Sequence, residues 1–202
     1  MFFKTKKGAT ILWMLGAALG LFLMGNIGTS GAGLAPLMTH AEMRVVANPP
    51  GGSECQPVLD ALDKLYTTPY HSYMSQTGME KGKTMSTEMV FAGGTQYVLY
   101  NGKWSPSPLS TEEMKELVQR NRKNAKNLSC HYVRDEVVNG EGAALYNTHE
   151  DTEHGKSDNQ IWVSKSKGLI LRQETDLDTG GANGKSHVSV RYEYSNVQAP
   201  KL

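Results

Sequence analysis

The sequence predicts an α+β fold: a curved antiparallel sheet of about eight strands with two helices on one side. Three observations carry this. Two segments place apolar residues at helical spacing behind N-terminal capping signals. About eight short segments are rich in Tyr, Thr, Val and Met. Gly-containing turns join most of those segments directly to the next, and consecutive hairpins build a meander.

The first helix is expected from about Glu54 to Tyr66. Ser53-Glu54-Cys55-Gln56 has the Ser-x-x-Gln form of a capping box, and Val58, Leu59, Leu62, Leu65 and Tyr66 recur at helical spacing. Pro69 forces the chain out of helix. Strands follow over 70–77, 84–91 and 96–104, with Gly93-Gly94 and Asn101-Gly102 as hairpin-type turns. In the second of these, Met85, Thr87, Met89 and Phe91 form a mostly apolar face. The second helix, to about Asn124, has a fuller signature: Ser110 as N-cap, Glu113 three residues on, and Leu109 placed to staple onto Met114. Its apolar stripe is thin (Met114, Leu117, Val118), so it covers something and is not buried all round. Arg120-Asn121-Arg122-Lys123-Asn124-Ala125-Lys126 complements the C-terminal dipole of that helix.

From Cys130 onward strands are expected over 131–138, 143–150, 160–165, 169–176 and 187–194, with polar loops at 151–159 and 177–185. The last strand alternates, committing Val188, Val190, Tyr192 and Tyr194 to one buried face. Trp162 is expected on a neighbouring strand of the same sheet.

Ahead of this domain, Lys4, Lys6 and Lys7 precede an uncharged run from Ala9 to Met24 and then small residues, the order of an export signal. The run has 16 residues, short of the roughly 20 that span a bilayer. Residues 1–41 are therefore read as signal peptide and leader, cleaved after Ala32 or Ala41, with a retained anchor as the alternative, residues 42–52 as a flexible tail, and 53–202 as one domain in the periplasm. Cleavage after Ala41 removes three lysines and no acid, leaving 18 basic and 20 acidic residues, a net charge of −2. A near-neutral domain is a poor polyanion binder, which argues against nucleic acid as a partner.

Cys55 and Cys130 are the only cysteines, and an even count in an exported chain predicts a disulfide between them. Gly52-Ser53-Glu54 before Cys55 lacks the apolar residue of a lipidation signal.

Little points to catalysis. His149-Glu150-Asp151-Thr152-Glu153-His154 gathers two histidines among carboxylates, but they stand five apart at an expected hairpin tip, where a zinc protease needs four on a helix. A solvated turn is the reading there; a small metal-dependent hydrolase centred on His149 and His154 is the weakest alternative. Asp176 and Asp178 lack the further acids of a calcium loop. No nucleophile elbow, phosphate loop or dinucleotide fingerprint occurs, and no cofactor is expected. What remains is apolar. Met85, Met89 and Phe91, then Tyr97, Leu99 and Trp104, then Leu145, Trp162, Leu169 and Leu171, with Val188, Val190, Tyr192 and Tyr194, all lie on or beside expected strands. A curved sheet has a concave face, and helices that close it without filling it, with Met114 and Leu117 turned inward, leave room for an acyl chain.

The order of elements, with Tyr97-Val98-Leu99-Tyr100-Asn101-Gly102-Lys103-Trp104, Ile161-Trp162-Val163-Ser164-Lys165, Gly168-Leu169-Ile170-Leu171-Arg172-Gln173-Glu174 and Arg191-Tyr192-Glu193-Tyr194-Ser195-Asn196-Val197, resembles the LolA-like superfamily of outer-membrane lipoprotein-sorting proteins over roughly Cys55 to Pro200. The resemblance implies an incomplete antiparallel barrel lidded by helices that carries acyl chains of lipids or lipoproteins through the periplasm. The same fold serves in periplasmic stress sensors, so a protein-interaction module with a filled core is the alternative. The chain departs from the family in being short, with about eight strands where around eleven are usual and one middle helix in place of a pair.

Overall fold

A 3₁₀ turn, Gly52–Cys55, leads directly into helix α1 (Gln56–Lys64). The computed structural model describes residues 52–78, 82–152, 155–180 and 184–202; the expected export signal, its cleavage positions and His154 lie outside these. The capping box expected from Ser53 does not start α1. Cys55 is the N-cap, without a side-chain cap, and Pro57 in the first turn removes a donor that would otherwise need one. The helix ends two residues early because Leu65 and Tyr66 bond back to Leu62 and Asp63 in the tighter 3₁₀ pattern. Helix α2 (Thr111–Asn124) carries the full reciprocal box expected of Ser110 and Glu113.

Nine strands form one antiparallel sheet: β1 (Tyr70–Thr77), β2 (Thr84–Ala92), β3 (Thr95–Tyr100), β4 (Lys103–Pro106), β5 (Lys126–Val138), β6 (Glu141–Thr152), β7 (Gly155–Ser164), β8 (Ile170–Asp178) and β9 (Lys185–Glu193). The segment 96–104 is two strands, since Asn101 and Gly102 adopt φ of 50° and 73° and turn the chain back on itself. Of the expected loops, 151–159 is strand at every described position, whereas 177–185 is strand only at 177, 178 and 185. Their polar residues extend β6, β7, β8 and β9 because one face of these strands meets solvent, where polar side chains cost nothing.

The sheet order is β4-β3-β2-β1-β9-β8-β7-β6-β5, two meanders joined where the first strand pairs with the last. The chain must therefore pass from one edge, β4, to the other, β5, through α2. A 14-residue helix is about 21 Å long, against about 38 Å across nine flat strands. The linking residues do not stretch to make up the difference: the Ser107 amide bonds the Gln96 carbonyl, and the Ala125 amide bonds the Asn121 carbonyl. The sheet must curl towards α2, forming an unclosed barrel with helices inside the curve.

The main core lies between that face and α1. Val58, Ala61 and Leu65 pack over Tyr70, Met74, Met89, Phe91, Val188, Val190 and Tyr192. The Cys55–Cys130 disulfide, with Cα atoms 6.1 Å apart, pins the start of α1 to edge strand β5. No helix of the described residues is long and apolar enough to cross a membrane.

Candidate functional site

The helix-covered face has an apolar end and a polar end. At the apolar end an aromatic ladder crosses three strands: Phe91 stacks on Tyr70 at 5.9 Å, Tyr70 meets Tyr192 edge-on at 5.6 Å, and Tyr192 stacks on Tyr194 at 6.5 Å. The Tyr70 hydroxyl accepts from the Gln96 amide, and that of Tyr194 donates to the Ile170 carbonyl. Burial pushes the phenols of Tyr70, Tyr192 and Tyr194 well up from their ordinary range, the signature of a dry apolar setting.

Helix α2 covers this end loosely. Leu117 and Val118 pack against Tyr66 and Leu109, residues of the connecting loops, in a cluster separate from the main core. Burial takes the Tyr66 phenol up to about 12, opposed by the nearby Arg122. Between the two clusters runs a seam bordered by Leu65, Tyr66, Tyr70, Phe91, Leu109 and Met114, enclosing about 20 Å³. That is room for about one water molecule, so a chain-like ligand enters this seam only if α2 lifts.

The polar end occupies the same face further along the strands. Asn159 donates to the Thr148 and Ser157 hydroxyls, Ser157 donates to Glu150, and Asn159 Oδ1 accepts from the Thr175 hydroxyl at 2.7 Å and from Gln173 Nε2. Gln76 Nε2 donates to Ser186. Burial raises the Glu150 carboxyl above its ordinary range, with the Ser157 hydrogen bond and Arg122 opposing.

The opposite face carries no helix and combines charged side chains with the smaller apolar cluster of Leu145, Trp162 and Leu171. Arg172 and Arg191 stand directly opposite each other on β8 and β9 and splay apart, Arg172 over Trp162 at 4.9 Å and Arg191 over Tyr73 at 4.3 Å. Each is neutralised along its own strand, by Glu174 and Glu193. A cleft of about 690 Å³ on this side is bordered by Ser86 and Leu99 and also by Val137, Val138 and Asn139, so the twisted sheet bends this way too, along its other diagonal. Further down, His149 bonds Asp158 and His187 bonds Asp176 and Glu174. His149 thus sits within β6 as one partner of a cross-strand pair, and not at a hairpin tip. Among the described residues no group of three or more His, Cys, Asp or Glu side chains is placed to hold a metal ion.

The residues singled out in the sequence as lining a ligand space therefore fall on both faces. Met89, Phe91, Val188, Val190 and Tyr192 share the helix-covered face, with Met85 and Tyr194 packed against them. Met114 borders the seam, and Leu117 holds the cover. Leu145, Trp162 and Leu171 form a second cluster, and Leu169 is buried beside it in the chain. Trp162 belongs to the same sheet as Val190, but β8 stands between them and the Trp162 indole, which donates to Glu136, faces the other way. Leu99 and Trp104 are cross-strand partners at the β3–β4 edge; Tyr97 faces the same side as they do and is partnered by Val90 and Pro106. Alternation along a strand was readable; which alternate set the helices would cover was not. The polar end went unnoticed because Gln76, Asn159, Gln173 and Thr175 look like ordinary solvent-facing strand residues.

No family model and no curated protein matches the sequence. Among solved structures the chain is similar to the lipoprotein LppX of Mycobacterium tuberculosis, at 11% identity and a TM-score of 0.43, over 71% of this chain and 96% of that one. It is similar to LprF of Mycobacterium bovis at 10% identity and a TM-score of 0.43, over 76% and 99%. It is similar to the Pseudomonas aeruginosa MucA/MucB complex at 11% identity and a TM-score of 0.40, over 73% and 59%.

Proposed function

We propose that this chain is an exported carrier or binding protein for an acyl chain, belonging to a lipid or a lipoprotein, which it holds against the helix-covered face of its open sheet. The observation that carries the reading is the seam beneath α2. One wall is the aromatic ladder of β2, β1 and β9; the other is a helix whose Leu117 and Val118 pack on the loop residues Tyr66 and Leu109, in a cluster separate from the main core. A cover fixed by so little apolar area lifts at small cost, and lifting it exposes aromatic and Met surface that suits a hydrocarbon chain. The leader read from the sequence puts such a carrier in the periplasm, where the disulfide is stable.

The test is mass spectrometry of organic extracts from protein purified out of the periplasm, followed by titration of the delipidated protein with a fluorescent fatty acid. Saturable binding weakened by Leu117→Ser is expected. Protein that carries no lipid and binds none would overturn the reading. A second reading, a protein-interaction module, draws on the open-face cleft, whose rim combines exposed Val137 with Tyr73, Arg172 and Arg191. A stable protein partner lost on Arg172→Ala, with no lipid bound, would favour it.

A further inference from the structure

The polar end of the covered face is polarised in one direction. Ionised Glu150 only accepts, so the Ser157 hydroxyl gives its proton to Glu150 and accepts from Asn159. Asn159 must then present its amide nitrogen to Ser157 and Thr148, and its oxygen to Thr175 and Gln173. Gln173 in turn presents Nε2 to Asn159 and Thr175, at 3.5 and 3.2 Å, which turns its Oε1 away from the chain of bonds. That oxygen is buried and has no partner, and the side chain is 3% exposed.

It is not alone. Gln76 Oε1 and the Ser72 hydroxyl are also buried without a partner, on side chains 1% and 0% exposed. All three lie on one face across neighbouring strands: Gln173 pairs with Val190, which pairs with Met74, and Ser72 and Gln76 flank Met74 on β1. Leaving a buried polar atom unpaired is costly, and a sheet could place leucine at these positions without loss. Three such atoms on one face, two of them fixed acceptors next to an apolar core, call for a group that brings its own protons.

We infer that the covered face takes an amphipathic ligand whose polar end donates hydrogen bonds, through hydroxyl or amide N–H groups, to Gln173 and Gln76, while its acyl chain runs towards the aromatic ladder. This rests on the carrier reading and narrows it. A hydrocarbon or an ester supplies no proton, and an ionised carboxylate presents only acceptors to acceptors.

The experiment compares delipidated protein binding a monoacylglycerol, the methyl ester of the same fatty acid, and the free fatty acid at neutral pH. The monoacylglycerol should bind roughly threefold to tenfold more tightly than the methyl ester, the worth of one or two hydrogen bonds. Gln173→Met, and independently Gln76→Met, should shrink that ratio towards one while the methyl ester binds as before. Each variant removes an unpaired oxygen together with long Nε2 hydrogen bonds of 3.2 to 3.5 Å, so both should stay folded, which circular dichroism checks. If the parent binds all three ligands with equal affinity, the carrier reading stands and this inference is overturned. Binding of none of them overturns both.

Discussion

His187 lies between two carboxylates, with Nδ1 2.8 Å from Asp176 and Nε2 2.9 Å from Glu174. The hydrogen bond to Asp176 chiefly raises its pKa above 6.5, and partial burial opposes the shift. A folded pKa above the unfolded one means that protonated His187 stabilises the fold fully below about pH 6.5, and that this contribution is lost as pH rises through the folded value. The loss is sharpened by register, since Asp158 stands directly opposite Asp176 and neutral His187 leaves the two carboxylates facing each other. Proton NMR titration should place the His187 midpoint above 6.5, and His187→Gln should flatten the fall in stability on the alkaline side. A midpoint at or below 6.5 would contradict the geometry. Glu113 runs the other way. Its carboxyl is held low by the Ser110 backbone amide first and the Ser110 hydroxyl second, so its contribution is present above its unfolded pKa and lost as pH falls through the folded one. Ser110→Ala should cost about 1 kcal/mol in chemical denaturation; no change within error would mean the cap is idle.

At the scale of elements, α2 and the hairpins differ in how firmly they are held. The helix crosses the sheet from edge to edge yet packs through loop residues, so its amides should exchange with solvent sooner than those of β1, β8 and β9. Equal protection in hydrogen-exchange mass spectrometry would show a cover welded to the core and would count against the carrier reading. Gly155 starts β7 at a φ of 139°, and a Cβ there would come within 3.0 Å of the Thr179 Cα on the adjoining hairpin. Backbone on that side cannot give way as a flexible side chain could. Gly155→Ala should therefore lower the melting temperature by several degrees, with the loss concentrated in β6, β7 and β8.

For the whole molecule, the disulfide is the one covalent tie between the helical layer and the far edge of the sheet. It closes a 75-residue span that holds α1, α2 and the first five strands up to Cys130. On the chain-entropy account such a loop is worth ~4.5 kcal/mol, although strain and residual structure in the unfolded chain reduce the figure in practice. Denatured, unreduced protein should show no free thiol. Cys130→Ser should unfold at clearly lower denaturant and should free α1 more than β7 or β8, because the main-chain ladder of those strands does not depend on the bond. Two reactive thiols per chain in protein from the periplasm would refute the assignment.

Features under local control were legible in the chain alone. The Ser110–Glu113 box, the Asn101-Gly102 and Asn139-Gly140 turns, the alternation of Val188, Val190 and Tyr192, and the pairing of the only two cysteines all follow from neighbours a few residues apart or from simple counting. Tertiary structure decided whatever depends on residues distant in the chain. β1 pairs with β9, α2 crosses the sheet, and only that crossing settles which face is covered. Because side-chain direction has period two, choosing the covered face sorts every strand residue at once. It sent Trp162 to the open side and brought Gln76 and Gln173 under cover. No local pattern carries that choice, since Gln and Thr on a strand read the same whether water or a helix lies above them.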